Sequence, residues 1–175
     1  MMQITRCSVG SPLWCELSEW YVREAELLDN GQEREWLALI HPEIVYRIPL
    51  RQTVERARGN GVVPGAYHSD ERFGSLASRV ARNETEFAWA EDPPSRTRHY
   101  VSNVRAASTD DGRTVHGTSN FLVYRTRGDQ TTPQLLGGER TDVLRRDDDG
   151  KLLLAERTVL LDLTAIGTHN LSLFF

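Results

Sequence analysis

Long hydrophobic runs are missing from this 175-residue chain. Nothing in it approaches the roughly 18 consecutive apolar residues that cross a bilayer as a helix. Cysteine is scarce: Cys7 and Cys15 are the only two, both near the start, and no basic-then-apolar leader appears in MMQITRCSVGSPLW. A cytoplasmic protein with both thiols free is the expectation. CxxC, Cys-x-His and HExxH patterns are absent, so the usual ligand sets of zinc and iron–sulfur sites are not there. GxGxxG, GxxxxGKS/T and GxSxG are absent too, which removes the common markers of nucleotide binding and serine hydrolysis. A positive charge excess is also lacking. The formal net charge is -4, which argues against nucleic acid or an anionic membrane as the main partner.

What is present is the composition of one soluble domain, 39% hydrophobic and 26% charged. A chain of this length buries roughly two-thirds of its unfolded surface as a single unit. Residues 11–30, SPLWCELSEWYVREAELLDN, predict an amphipathic helix. Ser11 is placed to cap it, Pro12 suits its first turn, and Leu13, Leu17, Trp20 or Tyr21, Glu24 or Ala25, and Leu28 share one face. Asp29-Asn30-Gly31 stops it. A short helix is expected over 32–40, a strand over 43–50, a long loop over 50–68 and a third helix over 69–83. Residues 1–10 read as a flexible lead-in.

From residue 98 the texture changes to strands, expected at 98–107, 113–127, 134–146 and 151–163. Asp110-Asp111-Gly112, Gly128-Asp129 and Asp147-Asp148-Asp149-Gly150 punctuate them as hairpin turns. Helices first and an antiparallel meander afterwards is an α+β order. In the second of these strands Val115, Phe121 and Val123 fall on one face; His116, Thr118, Asn120, Leu122 and Tyr124 fall on the other. That second face is semi-apolar, which fits a pocket lining or a protein interface. A two-residue turn at Asp149-Gly150 would set Asp142 opposite Arg157. Glu139, Arg140, Asp142, Glu156 and Arg157 then read as a structural ion-pair network across the last hairpin.

His99 and His116 are the histidines placed on central strands, and acid–base chemistry would draw on them together with Tyr21. Tyr46, Asp29 and Glu91 could converge with them. The chain ends in THNLSLFF, where Leu171, Leu173, Phe174 and Phe175 either tuck into the domain's own core or dock on a neighbouring subunit.

The stretch AWAEDPPSRTRHYVSNV, residues 88–104, resembles the signature of the small (β) subunits of bacterial aromatic-ring-hydroxylating dioxygenases. WYVREAELLDNGQEREWLALI, GERTDVLRRDDDGKLLLAERTVLLD and NLSLFF resemble the same family, in order along nearly the whole chain. The resemblance implies a cone-shaped, nuclear-transport-factor-2-like fold with a curved mixed sheet and helices on one face. It also implies an α3β3 hexamer. The α subunits would hold a Rieske [2Fe–2S] centre and a mononuclear iron, fed from NADH through a reductase, often by way of a ferredoxin. This chain would bind none of these cofactors and would act as scaffold. Trp89, Asp92, Pro93, Pro94, Arg96, Arg98, His99 and Asn103 in the signature become interface candidates, with Asn170, Leu173, Phe174 and Phe175 in a docking tail over 168–175. Arg96 and Arg98 suit bidentate pairing with carboxylates. The competing reading is a stand-alone dehydratase, isomerase or cyclase of the same fold, using His99, His116 and Tyr21. A third is a binding module for a small hydrophobic ligand.

Overall fold

The computed structural model describes residues 4–83, 94–109, 111–164 and 173–175. Helix α1 runs Pro12–Asp29. The Ser11 hydroxyl accepts the Trp14 N–H at 3.3 Å, and Pro12 occupies the first turn. Its buried face carries Leu17, Trp20, Tyr21, Glu24, Leu27 and Leu28. The spacing is that of one helical stripe, with a carboxylate set into it. Helix α2 is only Glu33–Leu37, because Ile40 already belongs to the next strand. Helix α3, Phe73–Asn83, buries Leu76 and Val80.

Among the described residues seven strands form one sheet. They are β1 (Ile4–Arg6), β2 (Ile40–Arg51), β3 (Val62–Glu71), β4 (Ser95–Thr109), β5 (Thr114–Arg127), β6 (Gln134–Arg146) and β7 (Leu152–Leu161). Their order is β1-β4-β5-β6-β7-β2-β3. All neighbours are antiparallel except β2 and β7, which are parallel. The result is a curved, mixed, α+β cone with helices on one face. Helix α1 lies against β4 and α3 against β2.

Three expectations need correction. Residues 4–6 are not part of a loose lead-in but form β1, paired with the long free edge of β4. The expected loop over 50–68 is largely ordered: Arg51 ends β2, a single 3-10 turn covers Arg56–Arg58, and β3 begins at Val62. Pro64 and Gly65 sit in β3 because it is an edge strand, whose outer side needs no ladder, and Gly65 takes a φ of 72°. Pro49 of β2 is likewise placed at a break in the β2–β3 register.

The third correction concerns the last hairpin. Arg146 pairs with Leu152, so the connection is longer than the two-residue turn expected. Register then shifts between Val143 and Leu144, with Ala155 as an extra buried residue on β7. This bulge restores the expected pairing, and Asp142 does lie opposite Arg157.

Candidate functional site

The inner face of the sheet and the buried stripe of α1 enclose a polar centre. Glu24 and Asp142 meet Arg140 and Arg157, and all four are buried. Arg157 donates Nε and Nη2 to the Asp142 carboxylate, both at 2.8 Å. It donates Nη1 and Nη2 to Glu24 at 2.7 and 3.0 Å. Arg140 donates Nη1 to Glu24 at 3.0 Å and Nε to the Ser119 hydroxyl at 3.2 Å. The Tyr21 hydroxyl donates to Asp142 at 2.8 Å, and the Trp36 indole N–H to Glu24 at 3.1 Å. Two carboxylates balance two guanidiniums, so the cluster is neutral in sum. Arg140 also lies over the rings of Tyr21 and Phe121, 4.9 and 5.8 Å from their centroids.

The electrostatics follow from this enclosure. Burial alone would raise the Glu24 pKa, but the Arg157 and Arg140 charges, with hydrogen bonds from Arg157 and Trp36, hold it below its ordinary value. Burial opposes the charge on Arg157, yet Asp142 and Glu24 hold it firmly protonated. Burial first, and the Asp142 charge second, push the Tyr21 hydroxyl well above its usual range. Burial lifts Tyr46 to about 12. Charges of both signs are locked in salt bridges, and the phenols are locked neutral.

The end of the chain closes the centre. Phe174 and Phe175 are 2% and 0% exposed. Phe174 stacks on Trp36 at 4.4 Å between centroids, and Phe175 tilts against Phe121 at 5.5 Å. Each of the last three backbone oxygens is held from a different element. Arg79 of α3 donates to that of Leu173 at 3.2 Å. The Nε2 of His99, on β4, lies 3.1 Å from that of Phe174. Arg157 of β7 and Tyr46 of β2 donate to that of Phe175 at 2.6 and 3.2 Å. The Phe175 N–H in turn donates to Tyr46 at 2.9 Å. Of the two readings of the tail, Phe174 and Phe175 take the intramolecular one, because the aromatic floor and these donors lie inside the chain's own cone. They are not available as a surface for a neighbour.

This filled cone can be set beside known proteins. The family described as Ring hydroxylating beta subunit matches residues 23–167. The chain belongs to that family. It superimposes on a chain of naphthalene 1,2-dioxygenase solved with indole in the active site, with a TM-score of 0.84 and 26% identity, covering 97% of this chain and 88% of that one. It resembles in fold the beta subunit of the benzoate 1,2-dioxygenase of Burkholderia mallei, with a TM-score of 0.68 and 21% identity over 89% of this chain and 96% of the other. ActVI-ORFA of Streptomyces coelicolor shares the fold as well, at a TM-score of 0.62 and 20% identity over 87% and 98%.

Within this family member the residues nominated for acid–base work do not gather. Tyr21 is in the interior network, while His116 points to the outer face, beside a groove of about 300 Å³ that also borders Arg6, Arg105 and Thr118. The sheet itself separates the two. His99 is inside, and Asp29 does reach it: Nδ1 lies 2.6 Å from the Asp29 carboxylate, which also accepts the His99 backbone N–H at 3.0 and 3.1 Å.

The ion-pair reading holds for Arg140, Asp142 and Arg157, and Glu139 pairs with Arg105 at 2.8 Å on the surface. Glu156 departs from it. The Ala155 bulge leaves it exposed on the outer face, and it makes no ion pair among the described residues. Asn103 takes a φ of 52° where the β4–β5 register shifts, a conformation asparagine tolerates. Pro94, Arg96 and Arg98 are exposed. Trp89, Glu91, Asp92, Pro93, Asn170 and Leu171 lie outside the described residues.

The sequence left Glu24 or Ala25 for that position of the buried stripe and gave Glu24 no role. The signal was there: a carboxylate in an apolar stripe must be matched by buried cations elsewhere. Among the described residues no group of three or more His, Cys, Asp and Glu side chains is arranged to hold a metal ion, and no helix is long and apolar enough to cross a membrane.

Proposed function

We propose that this chain is the non-catalytic scaffold subunit of a ring-hydroxylating terminal oxygenase. In this reading it holds an α3β3 hexamer together in the cytoplasm. Its α partners carry the Rieske cluster and the mononuclear iron, and oxidise an aromatic substrate with O2 and electrons from NADH. The observation that carries the reading, beside family membership, is the occupied cone. Among the described residues the interior between the sheet and α1 is occupied by Glu24, Asp142, Arg140 and Arg157, with Phe174 and Phe175 packed over them. His99, Tyr21 and Tyr46 spend their polar atoms on structural partners. A stand-alone dehydratase or cyclase would need His99, His116 and Tyr21 around one substrate, and His116 is on the other side of the sheet.

The test is co-expression with the large oxygenase subunit of the same organism, with mass by light scattering and iron counted in the same peak. An iron-containing peak of α3β3 mass that is lost when this chain is omitted is the expected result. An iron-free oligomer of this chain alone, with turnover of its own abolished by His99→Ala, would overturn the proposal.

A further inference from the structure

His99 is a titratable side chain to which the scaffold reading gives no role of its own. Its ring meets an oxygen at each nitrogen. Nδ1 lies 2.6 Å from the Asp29 carboxylate at the end of α1, and Nε2 lies 3.1 Å from the backbone oxygen of Phe174. A carboxylate and a carbonyl both accept, and neither brings a hydrogen to its contact. Neutral imidazole has one N–H and one lone pair, so it satisfies only one of the two. Turning the ring over would set carbon atoms against both oxygens. The side chain is 5% exposed, which leaves water little room to stand in as another partner.

A second proton is therefore needed, and its place is the ring. Both Asp29 oxygens already accept the His99 backbone N–H, an arrangement that favours the carboxylate over the acid. An imidazolium between a carboxylate and a carbonyl meets every contact with a donor. The surroundings add no competing charge among the described residues. Val123 of β5 lies opposite His99 in register, and Arg98 and Tyr100, its neighbours on β4, project from the other face of the sheet. Trp36 of α2 stacks on Phe174, and Arg79 of α3 lies over the Phe174 ring, where it is paired with Glu71.

We propose that His99 is a pH-sensitive latch: with a proton on both ring nitrogens it holds residues 173–175 closed over the interior, and loss of the Nε2 proton releases them. Nε2 gives up its proton first because Nδ1–H faces a full negative charge at the shorter distance. A lone pair then confronts the Phe174 oxygen, and repulsion stands where a hydrogen bond did. The latch is thus engaged on the acid side and lost as pH rises. Its release reaches the polar centre. Phe174 covers Trp36, whose indole N–H donates to Glu24, and the Phe175 oxygen accepts from Arg157. The latch belongs to this chain alone and goes beyond the scaffold reading.

The experiment is an NMR titration of the full chain over roughly pH 5 to 9, which spans the charge change of histidine and stops short of the phenols. Long-range proton–nitrogen spectra read the protonation of both His99 ring nitrogens. The Phe174 ring signals, moved upfield while the ring stacks on Trp36, read closure. The expected result is a doubly protonated ring with Phe174 upfield, and loss of the Nε2 proton and of the upfield shift over one pH interval. His99→Gln, which can hydrogen bond but not titrate, is expected to show no such step. A neutral ring with Phe174 still stacked would overturn the latch, as would a step that survives in His99→Gln. Ring and tail signals that both stay unchanged across the range would overturn it too. Should the variant fail to fold, the two signals of the parent decide alone.

Discussion

Asp29 and His99 are joined three times: the aspartate at the last turn of α1 accepts the His99 backbone N–H with both oxygens and lies 2.6 Å from its ring Nδ1. Because the far nitrogen of the same ring meets the Phe174 oxygen, one side chain ties α1, β4 and the chain end together. Asp29→Ala is therefore expected to remove a helix-to-sheet tie and leave a buried donor unmet. A cost of about 1–3 kcal/mol follows from stranding such a group. Urea unfolding gives the number, and limited proteolysis of the tail should quicken in the same variant. An unchanged unfolding midpoint would contradict the tie.

Buried and exposed ion pairs should behave very differently in this chain. Glu24→Gln leaves Arg157 and Arg140 with only Asp142 as a counter-charge in the interior, and removing one partner of a buried pair costs about 3–5 kcal/mol. Glu139→Gln breaks a surface pair with Arg105, worth about 0–1 kcal/mol. Denaturant titrations of the two variants side by side check the contrast. Equal small losses would mean that the interior network is not closed as described.

Alkaline pH should unfold the protein through its buried phenols. Tyr46 is raised to about 12 and Tyr21 well above its usual range, mainly by burial, so the folded state disfavours both phenolates. Folding stability is full below the ordinary value near 10 and falls as pH rises from there toward 12. Tyr46→Phe removes one of the two groups, and its stability should decline less steeply over that window. Thermal melts at stepped pH measure the slope, and parallel curves for parent and variant would refute the assignment.

Gly138 marks a place where backbone strands touch too closely for any side chain. A Cβ there would stand 2.2 Å from the Leu160 carbonyl oxygen. Since the obstacle is backbone, Gly138→Ala must push β6 from β7 beside the polar centre. Overpacking of this kind costs about 1–3 kcal/mol. Differential scanning calorimetry should show a lower melting temperature, whereas Gly74→Ala, with nothing within 4 Å of the added carbon, should not.

The parts legible in the sequence were those governed by near neighbours. Ser11-Pro12 and Asp29-Asn30-Gly31 bracket α1, and the alternation from Val115 to Tyr124 assigns both faces of β5, because capping and two-residue periodicity are local. The Asp142–Arg157 pairing was legible, although by a longer connection and a compensating bulge that no turn motif announces. β3 was not legible: its glycine, proline and arginine content reads as loop, and only the edge position it finds beside β2 makes a strand of it. The polar centre was half visible. Glu24 stood on the right stripe, but its partners come from strands far along the chain.

The parallel seam between β2 and β7 has a consequence for how the chain comes into being. Among the described residues β7 is the last strand in sequence, yet it lies inside the sheet, with β6 on one side and β2 on the other. While the chain is being synthesised, β2 and β3 are made early and wait with one ladder open and with Ile44, Tyr46 and Ile48 uncovered. Pairings so distant in sequence form slowly, and open edges recruit other chains in the interval. A ribosome-stalled or prematurely terminated product lacking β7 is thus a chain with two unmatched sheet halves, and aggregation rather than partial function is its fate.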